Sequence, residues 1–309
     1  MPYEPEGYLI GKTENHESLA TVSALERALE KQQILESTAL LCDNAFTLHF
    51  DLCGVHAIMP SNEVQYNLPG EETKDIAILT RVGKPTCFKI VGFKRERDGA
   101  LCAVLSRRAA QMECRYQFIQ GLQPGDIIPA RVTRLENFGA FVDIGCGIIS
   151  LLSIDSISVS RISHPRDRFS AGDRIHVVIK SIDAHGRIFV SQRELLGTWL
   201  ENVSRFSVGQ TVAGIVRSIE TYGIFVELTP NLAGLAEWKE DVEVGAQAAV
   251  YIKSMIPEKM KLKLVLIDLH RGAITPPPLT YFIDAKKTAH IDVWRYSPPG
   301  CSKTIETVF

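Results

Sequence analysis

The chain has 309 residues, 45% of them apolar and 23% charged, and a net charge of −2. That is the make-up of a soluble globular protein long enough for about two to four small modules. It contains no run of about 18 apolar residues and no basic-then-apolar leader, so the sequence argues against a membrane span or a signal peptide and for the cytoplasm. The seven cysteines are odd in number and scattered without a C-x-x-C, which argues against a disulfide frame or a zinc site.

Residues 1–34 read as an N-terminal extension: a polar lead followed by a helix. Ser23-x-x-Glu26 has the form of a capping box, and Val22, Leu25, Leu29 and Ile34 mark an apolar face suited to packing. From 35 to 110 comes a first β segment, with strands expected at Thr47–Leu52, Gly54–Pro60, Cys87–Phe93 and Ala103–Arg108. Lys94, Arg95, Arg97, Arg107 and Arg108 give it a basic cluster. Residues 111–121 have helical composition, and Gly121 is placed to cap a short linker helix.

The segment 122–199 is the most regular. Its strands are expected at Ile127–Leu135, Ala140–Ile144, Ile148–Leu152, Arg174–Ile182 and Arg187–Ser191. Five short strands with a long third-to-fourth connection suit a small closed barrel whose sheet face binds oligonucleotides. That connection carries Arg161, His164, Arg166 and Arg168, side chains suited to phosphate. At its centre lies Asn137-Phe138-Gly139-Ala140-Phe141-Val142-Asp143. Two aromatics three apart fall on opposite faces of a regular strand, and a bulge at Gly139 would bring both to one side.

The pattern recurs 84 residues later as Thr221-Tyr222-Gly223-Ile224-Phe225-Val226-Glu227, within a third β segment at 205–270. Here Lys259, Lys261 and Lys263 alternate with Met260, Leu262 and Leu264, so period two puts the lysines on one face. Pro276-Pro277-Pro278 then forms a stiff break. In the tail, 275–309, Tyr281–Ile283 is expected to pair with His290–Tyr296 as a hairpin docked on the last barrel.

The repeated aromatic-Gly-x-Phe-Val-acid element resembles the S1-type RNA-binding domain family, and the whole chain is similar to the bacterial ribosomal protein S1-like group. The resemblance implies a mainly β protein of tandem five-stranded OB-fold barrels, with an N-terminal helix and short linker helices and a degenerate first domain. It also implies an RNA surface of two strand aromatics, a third-strand histidine, and an Asp and Arg near the last turn. Phe138, Phe141, Asp183 and Arg187 match in the second domain, where Ser153 stands at the histidine position. Tyr222 and Phe225 match in the third, where Glu237 replaces the histidine and Lys261, beside Lys263, stands in for the arginine.

Gly145-Cys146-Gly147 lacks the third glycine and the following helix of a dinucleotide loop. No P-loop or nucleophile elbow occurs, and the eight histidines show no metal-ligand spacing. The expectation is therefore a non-catalytic binder of single-stranded RNA, such as mRNA, at the small ribosomal subunit. It needs no cofactor, metal, membrane or small-molecule substrate. No segment is strongly basic, so binding must rest on stacking more than on charge. The near-neutral charge also fits a second class, a protein-interaction adaptor that reuses the barrels.

Overall fold

The computed structural model describes residues 3–67, 73–270 and 279–309; the Pro276–Pro278 break lies outside them. The chain divides into two units, Met1–Leu122 with Asp143–Ile149, and Gln123–Val142 with Ser150–Phe309. Its architecture is mainly β with few short helices.

In the first unit, α1 (Thr13–Leu19) and α2 (Val22–Glu30) precede β1 (Leu35–Thr38), β2 (Leu41–Cys42), β3 (Leu48–Leu52) and β4 (Val55–Met59). Then come α3 (Asp75–Leu79), β5 (Pro85–Arg95), β6 (Leu101–Ser106) and α4 (Arg107–Gln117). Thr21, not Ser23, caps α2, its hydroxyl accepting the Ala24 N–H. The helix buries Ala24, Leu25 and Ala28, while Val22 stays exposed. The linker helix starts four residues early because the Ser106 hydroxyl caps it at Ala109, and its C-cap is Phe118 rather than Gly121.

The strands run β1-β5-β6-β4-β3-β2, with β4 and β6 parallel. This is the cyclic order of a five-stranded barrel whose first strand is broken. β1 pairs with β5 and β2 with β3, and the buried Ala39 lies between the two halves.

The polar lead is no loose extension. Glu6 is buried, with its carboxylate 2.6 Å from Arg107 Nε and 2.6 Å from Arg81. Burial works against the ionised form, but the two guanidiniums prevail and hold Glu6 down at about 2. Arg107 thereby leaves the expected basic cluster. Asp143 accepts N–H groups from Glu6, Gly145 and Gly147, and burial with the Glu6 charge pushes it up to about 7. The Gly145-Cys146-Gly147 run is thus the turn that Asp143 organises.

The second unit holds two closed barrels. The first comprises β7 (Ile127–Glu136), β8 (Gly139–Asp143), β9 (Ile149–Ser153), β10 (Arg174–Ile182) and β11 (Ile188–Ser191). After α5 (Trp199–Val203), the second comprises β12 (Thr211–Glu220), β13 (Gly223–Thr229), β14 (Leu232–Ala236), β15 (Gln247–Ile256) and β16 (Lys261–His270). In both, the third and fifth strands run parallel. Alternation along each strand sends Ala140 and Val142, or Ile224 and Val226, to the interior.

The connection from β9 to β10 seats itself on the second barrel. Val159 N donates to Asn231 Oδ1 at 2.9 Å and Ser160 N to Pro230 O at 3.1 Å. Arg168 is not a phosphate ligand here: it is buried against Glu227 at 2.5 Å, and Arg217 reaches the same carboxylate at 3.0 Å.

The tail forms a different hairpin from the expected one, pairing β17 (Val293–Arg295) with β18 (Glu306–Val308). Trp294 and Tyr296 join the core of the second barrel, each 5% exposed, so neither extends a stacking surface. Tyr281, Ile283 and Phe309 pack on Ile127, Val178 and Leu195 of the first barrel. An aromatic side chain buries about 150–250 Å², worth up to roughly 4–6 kcal/mol at about 25 cal/mol per Å², which is why the tail spends its rings on docking.

Two outcomes test this packing. Glu227→Leu leaves two buried guanidiniums without their carboxylate and should cost about 3–5 kcal/mol, read as a lower denaturation midpoint of the buried Trp199 and Trp294 fluorescence. His290 Nδ1 lies 2.7 Å from Asp126, whose hydrogen bond raises the imidazole above its ordinary value. That anchoring is complete below about pH 6.5 and is lost as pH rises through the raised value. Exchange of the Ile127 and Ile291 amides, which bond across this contact, should therefore accelerate beyond the intrinsic rate as pH passes that raised value, and Asp126→Asn should abolish the excess.

Candidate nucleic-acid interface

The paired aromatics face the same way, for a different reason from a bulge. Phe138 sits in the turn between β7 and β8, and Phe141 is on β8 pointing outward. The rings meet edge to face, 5.9 Å apart at 87°, with Phe138 55% exposed. Tyr222 and Phe225 repeat the geometry at 6.2 Å and 88°, with Tyr222 67% exposed.

The glycine between them permits close approach of the third strand. A Cβ on Gly139 would lie 2.4 Å from Leu152 O, and one on Gly223 2.5 Å from Ala236 O. With the glycine pressed there, the preceding residue is lifted out of the strand into solvent. Its carbonyl then accepts Ile154 N at 3.0 Å.

The pairing register extends each pair into a stripe. Phe225 lies opposite Leu235 on β14, which lies opposite Lys263 on β16. In the first barrel Leu151 lies opposite Phe189 on β11. Phe189, which the sequence reading overlooked, thus occupies the place of Lys263, and Arg187 that of Lys261. Lys261 and Lys263 are exposed while Leu262 and Leu264 are buried, as alternation requires. The alternation starts at Lys261, since Lys259 ends a tight turn.

A second omission is a lysine at a bulge. The β10–β11 register skips Lys180, and the β15–β16 register skips Lys253. A bulge re-aims its extra side chain, and both lysines are exposed beside the end of the third strand. Lys180 donates to Ser156 Oγ at 2.9 Å, and Lys253 lies 3.7 Å from Glu237. The Glu237 charge therefore has a local counter-ion. The signal was present in the sequence as a repeated Ile-Lys-Ser, at 179–181 and 252–254.

Asp183 shapes the last turn. Its carboxylate accepts the N–H groups of His185 at 2.8 Å and Arg187 at 2.9 Å, and the Arg187 bond, first among its causes, lowers its pKa. Arg187 leaves that turn exposed at the head of β11. Arg161 is exposed on the connection from β9 to β10. His164 belongs to the same connection, where its Nδ1 accepts Arg166 N at 3.0 Å and caps the turn Pro165–Asp167.

The first unit carries the same positions with other chemistry. His49 pairs with Ile58, which pairs with Val104, so His49 stands where Phe141 and Phe225 do. Phe46 stands at the turn position, but Thr47 follows it instead of glycine. Phe46 adopts a φ of 57° and packs against the core. The bulged residue is Val91, not lysine.

Residues 122–193 match the family model described as "S1 RNA binding domain". A small ribosomal subunit protein bS1 of Staphylococcus saprophyticus is 35% identical over 143 residues, 44% of this chain and 36% of the relative. The bS1 protein of Rhodopseudomonas palustris is 31% identical over 196 residues, 62% of this chain and 33% of the relative. The chain thus spans about a third of the length of the curated relatives it matches. A solved multidomain protein with nucleic acid binding domains from Streptococcus pneumoniae covers 79% of this chain and 76% of its own at 14% identity, with a TM-score of 0.24. The chain therefore contains an S1 RNA-binding domain at 122–193 and is distantly similar to bS1 over part of its length.

Gly139→Ala should push the third strand off Phe138 and cost about 1–3 kcal/mol, as overpacking does. Thermal unfolding measures it, and an unchanged midpoint would show that the close approach is not required.

Proposed function

We propose, from the S1 RNA-binding domain as premise, that this protein binds single-stranded RNA without catalysis, across the outer faces of both closed barrels. Phe138, Phe141 and Phe189 stack bases on one face, and Tyr222 and Phe225 on the other. Lys180 and Arg187, and Lys253, Lys261 and Lys263, hold the backbone. Asp183 positions Arg187, and Arg161 extends the phosphate track, with His164 holding that loop. The observation that carries this reading is the same exposed edge-to-face ring pair at the same place in two barrels. A core would bury such rings; here one ring of each pair is more than half exposed.

The energetics suit single strands. An aromatic platform gains about 1–3 kcal/mol per stacked base with little sequence preference, and a duplex hides its base faces. With six cations meeting phosphates at roughly −0.7 each, log affinity against log salt should slope by about −4. The similarity to bS1 proteins supports mRNA as the ligand, at the small ribosomal subunit in the cytoplasm.

Fluorescent single-stranded RNA, with duplex RNA alongside, tests this at low and moderate salt. The expected result is preference for the single strand, a salt slope of that size, and at least tenfold weaker binding by the Phe138→Ala, Phe141→Ala double variant. No binding at low salt would overturn it in favour of a protein-interaction adaptor.

A further inference from the structure

The surface that carries stacking rings in the two barrels carries a chain of ligating side chains in the first unit. His49 Nε2 lies 3.1 Å from Asp43 Oδ2, and His49 Nδ1 lies 2.9 Å from His56 Nε2, with the two imidazoles stacked at 5.1 Å. His56 Nδ1 in turn lies 2.7 Å from Glu96 Oε1. Cys102, fully buried, is the register partner of His56 on the adjacent parallel strand. One ligand atom from each of His56, Glu96 and Cys102 lies within 4.8 Å of the other two.

His56 presents its Nδ1 to Glu96 and its Nε2 to His49, whose own Nε2 meets Asp43, so the line of contacts orients the His56 ring from both sides. An imidazole nitrogen, a carboxylate oxygen and a sulfur thereby converge within one small volume.

A tetrahedral ion with bonds of about 2.0–2.3 Å sets its ligand atoms roughly 3.3–3.8 Å apart, so the His56 Nδ1–Glu96 Oε1 contact at 2.7 Å opens by about 0.6 Å when the ion takes the place of the hydrogen bond. Nitrogen, sulfur and carboxylate oxygen together are the donor set of zinc, and three protein ligands leave a fourth position open. Behind the first ligand stands the outer support such sites use, a carboxylate and an imidazole that orient His56 through hydrogen bonds.

We propose that the first unit binds a divalent metal ion of the zinc class through His56 Nδ1, Glu96 and the Cys102 thiolate, with His49 and Asp43 as positioning residues. The thiol proton passes to solvent on binding, so no redox step is involved. The three ligands come from β4, the end of the β5–β6 hairpin and β6, which explains why no spacing in the sequence betrays them. The site stands where the other barrels stack bases, so this unit has exchanged one surface chemistry for another.

Cobalt titration of the full chain after chelator treatment, with zinc as competitor, tests the site. One equivalent of cobalt should bind with a sulfur-to-cobalt absorption that zinc displaces. Cys102→Ser should abolish that absorption, and Cys53→Ser should leave it intact. Glu96→Gln, at a half-exposed position, should weaken binding at least tenfold, and His49→Ala about 10–100-fold through loss of orientation. Absorption that survives Cys102→Ser, or affinity unchanged in Glu96→Gln, would mean an adventitious ion only and overturn the site. The Phe138→Ala, Phe141→Ala variant should bind cobalt normally, so this result stands apart from the RNA reading.

Discussion

Much of the chemistry of this protein depends on one close contact, a glycine at the start of the second strand pressed against a carbonyl at the end of the third. At Gly139 and Gly223 no Cβ fits, because backbone oxygen occupies its place. The contact seals the end of each barrel and turns the residue before it outward. A large aromatic at that position cannot enter the core and stands in solvent beside the outward ring of the strand. The ring pair is therefore a consequence of barrel closure rather than an addition to it.

The first unit shows what happens when the contact is given up. Thr47 stands at the glycine position, the ring of Phe46 turns toward the core, and the first strand breaks at Ala39. The surface thus freed holds His49, His56, Glu96 and Cys102. Domain order and β4–β6 pairing survive these changes, because they depend on the interior apolar residues, which still alternate.

In the second unit, charge that would serve a polyanion is partly spent on architecture. Glu227, the acid of the second motif, is buried between Arg168 and Arg217 and holds the β9–β10 connection on the second barrel. A buried carboxylate flanked by guanidiniums fixes an arrangement more than it adds net stability. The residual cations, at bulges and strand heads, are few. This is consistent with the near-neutral net charge of the chain.

Local pattern was enough to read the β segments, the 84-residue repeat and the alternation of lysine with leucine on β16. Each follows from period two and from turn residues, which need no knowledge of neighbours. Pairing register is different, because it joins residues far apart in the chain. It alone placed Phe189 opposite Leu151, made Lys180 and Lys253 bulged residues, and set His49 where phenylalanines stand elsewhere. The partner of the last hairpin and the fate of Arg107 and Arg168 were likewise decided by tertiary structure, since burial beside a carboxylate leaves no mark on the charge pattern of a sequence.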